Sequence, residues 1–102
     1  MAITELNAQN FSTFIQQPGI VVVDFWAEWC APCLTLKKNL EELAVNNTDI
    51  TFGSVNIGTE SEISEEFAVR SIPWFLIIKD QVVVYAEIGA YKGQKLIKLL
   101  HR

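Results

Sequence analysis

The chain predicts a single α/β domain, a mixed sheet between helices on both faces, and three observations carry that reading. Strand-like and helix-like segments alternate along its 102 residues. Half of the residues are apolar, which at this length supplies one core and leaves no material for a second domain. The run Ile20-Val21-Val22-Val23-Asp24-Phe25-Trp26 is almost continuously apolar and rich in β-branched residues, as a strand covered on both faces must be.

Each element has its own reason. Residues 2–5 suit a short edge strand. A helix is expected over about Ala8–Gln16, with Asn7 as its N-cap and Phe11, Phe14 and Ile15 on one face, until Pro18-Gly19 stops it. Ile20–Trp26 is the central strand, and its one polar member, Asp24, needs an explanation. From Cys33 onward, Leu36, Leu40, Leu43 and Ala44 recur at helical spacing, with Lys37, Lys38, Glu41 and Glu42 on the other face. That helix should end near Asn46-Asn47. Ile50–Ile57 reads as a second inner strand. Thr59-x-x-Glu62 has the form of a capping box opening a short helix with Ile63 and Phe67 inward and its glutamates solvated. Trp74–Lys79 and Val82–Ile88, joined by Asp80-Gln81, read as an antiparallel hairpin. A last helix over about Lys92–Leu100 presents Leu96, Leu99 and Leu100 to the sheet.

Charge and composition exclude several functions. Eight basic against twelve acidic residues give a net charge of −4, without the basic stripe that a phosphate backbone requires, so nucleic acid is not an expected partner. No apolar segment approaches the ~20 residues that span a bilayer. Met1-Ala2-Ile3-Thr4-Glu5 lacks the charged start and apolar stretch of a secretion signal, which makes the cytoplasm the expected location.

The chain has two cysteines, Cys30 and Cys33, within Trp29-Cys30-Ala31-Pro32-Cys33. Positions i and i+3 on a helix lie about 5–6 Å apart, and a disulfide needs Cα atoms about 4.4–6.8 Å apart. The pair can therefore open and close a bond without refolding anything else, and Pro32 fits a first helical turn. In a reducing compartment such cysteines are catalytic or metal-binding more often than structural. Structural zinc takes four N or S ligands, and His101 is the sole histidine available beside the two cysteines, so no metal is expected.

Three motifs, Val23-Asp24-Phe25-Trp26-Ala27-Glu28-Trp29-Cys30-Ala31-Pro32-Cys33, Val69-Arg70-Ser71-Ile72-Pro73 and Ile88-Gly89-Ala90, resemble the thioredoxin family in order and spacing along the whole length. The resemblance implies the thioredoxin fold, a five-stranded mixed sheet flanked by four helices in the order βαβαβαββα with a short N-terminal edge strand. It also implies a protein-disulfide reductase without a bound cofactor, the dithiol itself being the redox group. Cys30 would attack a client disulfide and Cys33 would resolve the mixed disulfide, while Asp24 would lie beneath them and assist deprotonation of Cys33. A carboxylate inside an apolar strand should be desolvated, which raises its pKa; the plainer alternative is an exposed Asp at a strand end.

By the same carry-over the client would rest on Trp29, Ala31, Pro32, Ile57, Ile72, Pro73, Trp74, Gly89 and Ala90, with Pro73 following a cis peptide bond. Plainer readings stand beside these: Pro73 as a strand-start proline, Gly89 as a strand terminator, Trp74 as a core residue. The implied partners are a thioredoxin reductase as electron donor and disulfide-containing client proteins, for a monomer. At the pKa of about 7 that characterises thioredoxins, half of the Cys30 sulfur would be thiolate at pH 7, against about 3% for a free thiol near 8.5. Lower intrinsic nucleophilicity takes back about fivefold and leaves about threefold, so positioning of the client must supply most of the rate.

Four departures from the family pattern stand out. Ala31 replaces a glycine, Lys38 a helix-bending proline, Ser54 a buried lysine near the carboxylate, and Trp74 a small residue after the proline. Loss of the lysine should raise the pKa of Asp24. Two alternatives share the motif: a thioredoxin-like binding module with little turnover, and an oxidase or isomerase differing in reduction potential.

Overall fold

The computed structural model describes residues 3–88, with side chains through residue 83. The elements are β1 (Ile3–Glu5), α1 (Phe11–Ile15), β2 (Ile20–Trp26), α2 (Ala31–Asn46), β3 (Ile50–Asn56), α3 (Ser61–Glu66), β4 (Trp74–Lys79) and β5 (Val82–Ile88). The helix expected over residues 92–100 lies outside the described residues. The five strands form one sheet in the order β1-β3-β2-β4-β5. β1 and β2 run parallel to β3, and the β2–β4 and β4–β5 pairs are antiparallel.

Alternation along β2 explains its apolar run. Val22 faces α2, packed with Leu36, Leu40, Phe52 and Phe75. Val21, Val23 and Phe25 face the opposite side, against Phe11 and Phe14 of α1 and Ile63 of α3. A strand buried on both faces keeps no polar alternate, and Asp24 is the exception. An aromatic chain ties the second face together: Phe11 meets Phe67 edge-on with centroids 5.5 Å apart, Phe67 lies 6.2 Å from Phe25, and Phe25 meets Trp74 at 5.2 Å.

The short helices depart from expectation for a local reason. Asn7 does cap, but its Oδ1 accepts the N–H groups of Gln9 and Asn10 at 2.9 and 3.0 Å and so closes a separate turn before the helix. α1 then starts at Phe11, with Asn10 as its N-cap. Thr59 and Glu62 do not form a capping box. Glu60 is the N-cap of α3, and Thr59 donates its hydroxyl to the Asn56 carbonyl. That carbonyl also accepts the Thr59 and Glu60 N–H groups, while Asn56 Oδ1 accepts from Gly58. Asparagine side chains compete with helix hydrogen bonds in this way.

At the far end of the sheet from the cysteines, Asp80 and Gln81 take positive φ values of 49° and 71°, as a two-residue type I′ hairpin requires. Asp80 and Gly19 clasp each other: the Asp80 N–H donates to the Gly19 carbonyl, and the Gly19 N–H donates to Asp80 Oδ1, both at 2.9 Å.

Gly53 is where α1 comes down on the sheet. A β-carbon there would stand 2.7 Å from Phe14 Cε2 and 2.8 Å from Leu6 Cδ1, both in buried side chains. Gly53→Ala should destabilise the fold by about 1–3 kcal/mol, read as a lower urea midpoint at unchanged slope.

Candidate active site

Cys30 is the N-cap residue of α2, the place on the helix where backbone N–H groups lack carbonyl partners. Its Sγ accepts one of them, from Cys33, at 3.3 Å, in the role a serine or aspartate oxygen usually fills. The positive end of the helix and the amide donor both favour sulfur as an anion. Pro32, in the first turn, leaves no donor unsatisfied there.

Cys30 and Cys33 form a disulfide with Cα atoms 5.3 Å apart. Their surroundings differ: Cys30 is 9% exposed and Cys33 is fully buried. A second molecule can reach the first sulfur and not the other, so intermolecular chemistry must pass through Cys30.

The surface around the disulfide is apolar. Trp29 is 72% exposed, and Ala31 and Pro32 are exposed beside it. Ile57 and Ile72, half-buried, pack on Ala27, Cys30 and Cys33. Pro73 is buried, and the Ile72–Pro73 peptide bond is cis. Trp74 is engaged elsewhere, packed edge-on against Phe25 on the α1/α3 face, so much of its ring is core rather than rim. Gly89 and Ala90 lie outside the described residues. Gly58, unmarked by any sequence pattern, forms a bed for Trp29: a β-carbon there would stand 3.2 Å from the indole Cζ3.

Asp24 is 1% exposed and Ser54 2%. The two are register partners on β2 and β3 and face α2. Neither carboxylate oxygen nor the Ser54 hydroxyl has a hydrogen-bond partner among the described residues. Burial pushes the Asp24 pKa from its ordinary 3.8 up to about 7, and the Lys37 ammonium works against that rise. Lys37 sits one helical turn beyond Cys33, with Nζ 4.0 Å over the centroid of the Trp26 ring. Position 54 lacks the lysine that the family pattern leads one to expect, but α2 brings a cation, Lys37, close enough to act on the carboxylate. Helical spacing assigns Lys37 to the solvated face; its contact with Trp26 depends on how α2 lies across β2.

Beside Ser54 opens a cavity of about 340 Å³ lined by Glu5, Leu6, Asn7, Trp26, Glu28, Asn56, Thr59 and Glu60. Among the described residues, no group of three or more His, Cys, Asp or Glu side chains is placed to hold a metal ion. No helix there is long and apolar enough to cross a membrane.

Comparison with known proteins agrees with this geometry. The thioredoxin family model matches residues 2–102. A Streptomyces coelicolor protein whose name places it among the thioredoxins is 38% identical over 86 residues, covering 84% of this chain and 64% of that protein. The thioredoxin of Chlamydia pneumoniae is 37% identical over 97 residues, covering 95% of this chain and 94% of its own length. In fold, a mutant thioredoxin from Halobacterium salinarum NRC-1 superposes with a TM-score of 0.89 at 22% identity, over 97% of this chain and 88% of that one.

Two predictions follow from the buried carboxylate. Folded Asp24 titrates near 7 and unfolded near 3.9, so between those values the folded state holds the extra proton. The stability that goes with the neutral carboxyl is complete below about pH 4 and is lost as pH rises through 7, by about 4 kcal/mol. Asp24→Asn should therefore gain about 4 kcal/mol on the unmodified chain between pH 4 and pH 8, measured by urea denaturation at each pH. Lys37→Met removes the opposing charge and should move the Asp24 midpoint upward, followed by carboxyl ¹³C NMR; a downward shift would contradict the assignment.

Proposed function

Since the chain belongs to the thioredoxin family and is a thiol–disulfide oxidoreductase, we propose that it works as a protein-disulfide reductase that cycles Cys30 and Cys33 between dithiol and disulfide. The observation that carries this is the asymmetry of the pair: a reachable sulfur at a helix N-terminus with an amide donor on it, and a buried sulfur one turn in.

In the reduced chain, the Cys30 thiolate attacks one sulfur of a client disulfide in line, and the client's other sulfur leaves as thiolate. Client and chain are then joined through Cys30. Cys33 gives its proton to the Asp24 carboxylate and attacks Cys30 Sγ, which expels the client's second sulfur and leaves the Cys30–Cys33 disulfide. Two electrons have passed to the client. A thioredoxin reductase returns them. A carboxylate titrating near neutrality is suited to the proton step because it can both take and give a proton at working pH.

The apolar rim of Trp29, Ile57 and Ile72 around Cys30 supports docking of an extended client segment, which holds the target bond in place for attack. Ala31-Pro32 differs by one methyl group from the usual reductase bridge, which favours reduction over oxidation. Direction follows the reduction potential, where about 30 mV corresponds to ~1.4 kcal/mol for a two-electron couple. The reading includes a monomer acting in the cytoplasm with no bound cofactor.

Dithiothreitol-driven reduction of insulin tests the proposal. Cys30→Ser should reduce turnover to background. Cys33→Ser should still attack but accumulate a one-to-one mixed disulfide, visible by mass spectrometry. Turnover retained in Cys30→Ser would remove the dithiol from the function, and binding of clients without turnover in the unmodified chain would favour a docking module.

A further inference from the structure

Trp29 stands beside the reactive sulfur with 72% of its surface exposed, and an exposed side chain on a loop ordinarily has several rotamers open to it. This one has a floor. The six-membered edge of the indole rests on Gly58, where an added β-carbon would stand 3.2 Å from Cζ3 and 3.5 Å from Cη2. The shorter distance is inside the range of about 3.5–4.0 Å at which carbon atoms pack best. A side chain at position 58 and the ring in its present place therefore compete for the same space.

The backbone conformation does not call for glycine there. Its φ lies outside the left-handed region, and alanine would restrict the unfolded chain and so favour the fold. The loop beneath the ring is anchored residue by residue. The Ile57 N–H donates to the Trp26 carbonyl at 2.9 Å, and the Thr59 and Glu60 N–H groups donate to the Asn56 carbonyl at 3.1 and 2.8 Å. Between them the Gly58 N–H donates to Asn56 Oδ1 at 2.9 Å. The added carbon would also stand 3.1 Å from that same Oδ1, which its hydrogen bond holds in place. Of the groups around position 58, the indole has solvent on most sides, so the ring is the part that yields.

We infer that Gly58 is a positioning residue for the client: its bare backbone lets the Trp29 ring rest on the anchored loop, and that fixed platform gives the chain a preference for polypeptide disulfides over small ones. Ile57, the next residue back, packs on Cys30 and Cys33, so ring and sulfur are both referred to one rigid segment. An extended client segment that lies across the sulfur and the ring gains from a ring already in place, because little freedom is lost when it docks. A small disulfide needs the sulfur alone. The inference rests on the reading of the apolar rim as the surface on which clients dock.

Single-turnover oxidation of the reduced chain by excess insulin yields a limiting rate and a half-saturating concentration, and hydroxyethyl disulfide supplies the small-disulfide reference. Gly58→Ala should raise the half-saturating insulin concentration about fivefold and keep the limiting rate, a part of the loss of about tenfold or more expected when Trp29→Ala removes the ring. The preference for insulin over hydroxyethyl disulfide, taken as the ratio of second-order rate constants, should fall by the same factor. Phenylalanine lacks the atoms that meet Gly58, so in a Trp29→Phe chain the further change Gly58→Ala should alter neither value. Insulin kinetics unchanged in Trp29→Ala overturn the docking reading and the inference with it. A weakened Trp29→Ala beside a Gly58→Ala that matches the unmodified chain overturns the inference and leaves the docking reading standing. Equal losses with insulin and with hydroxyethyl disulfide in Gly58→Ala, or a loss of the same size in the Trp29→Phe chain, assign Gly58 to the fold alone and overturn the inference.

Discussion

A carboxyl group buried against the middle of the sheet, with no donor to satisfy it among the described residues, is the constraint to which the rest of the described structure answers. Its penalty of about 4 kcal/mol at alkaline pH is a large share of the 5–15 kcal/mol that keeps a typical domain folded. The surroundings offset that penalty by packing. β2 lies between β3 and β4, its neighbouring side chains are almost completely buried on both faces, and rings from α1, β2, β4 and the end of α3 close one side. A site that needs a group willing to change charge near neutrality needs this kind of dry support.

The same helix sets the division of labour between the sulfurs. Cys30 stands outside the first turn, where the helix has donors to spare, and Cys33 lies inside it on the face that meets the sheet. Three residues of separation therefore yield one sulfur for the outside world and one for its neighbour. Lys37, one turn further along, carries its charge toward the carboxylate while its ammonium rests over Trp26. In the proposed mechanism, attack, closure and tuning are thus arranged along two turns of α2.

Much of the fold was legible because burial writes itself into strands. Ile20–Trp26, Trp74–Lys79 and Val82–Ile88 stand where the apolar patterns place them, and α2 begins and ends where its periodicity does. The short helices were less legible, since Asn7, Asn10 and Asn56 settle their starts through side-chain bonds that compete with capping. At the site, the cysteines and Asp24 announce themselves, one pair by spacing and the other by being polar in an apolar run. Lys37 and Gly58 do not. Their contacts come from how separate segments lie against each other, and residue spacing within one segment carries no record of that. Ser54 is visible only as a departure from the family pattern, and its place between two acids appears once β1, β3 and β2 are set in register.

The clasp between Gly19 and Asp80 fastens the end of the sheet remote from the chemistry. β2 runs its seven residues from that clasp to the loop bearing the sulfurs, about 20 Å at strand rise. The molecule is thus polarised, with a knotted tail and a reactive head. An immobilising linker or fluorescent label grafted at the tail would leave the head facing solution, so a tethered electrode or bead could present every copy the same way round.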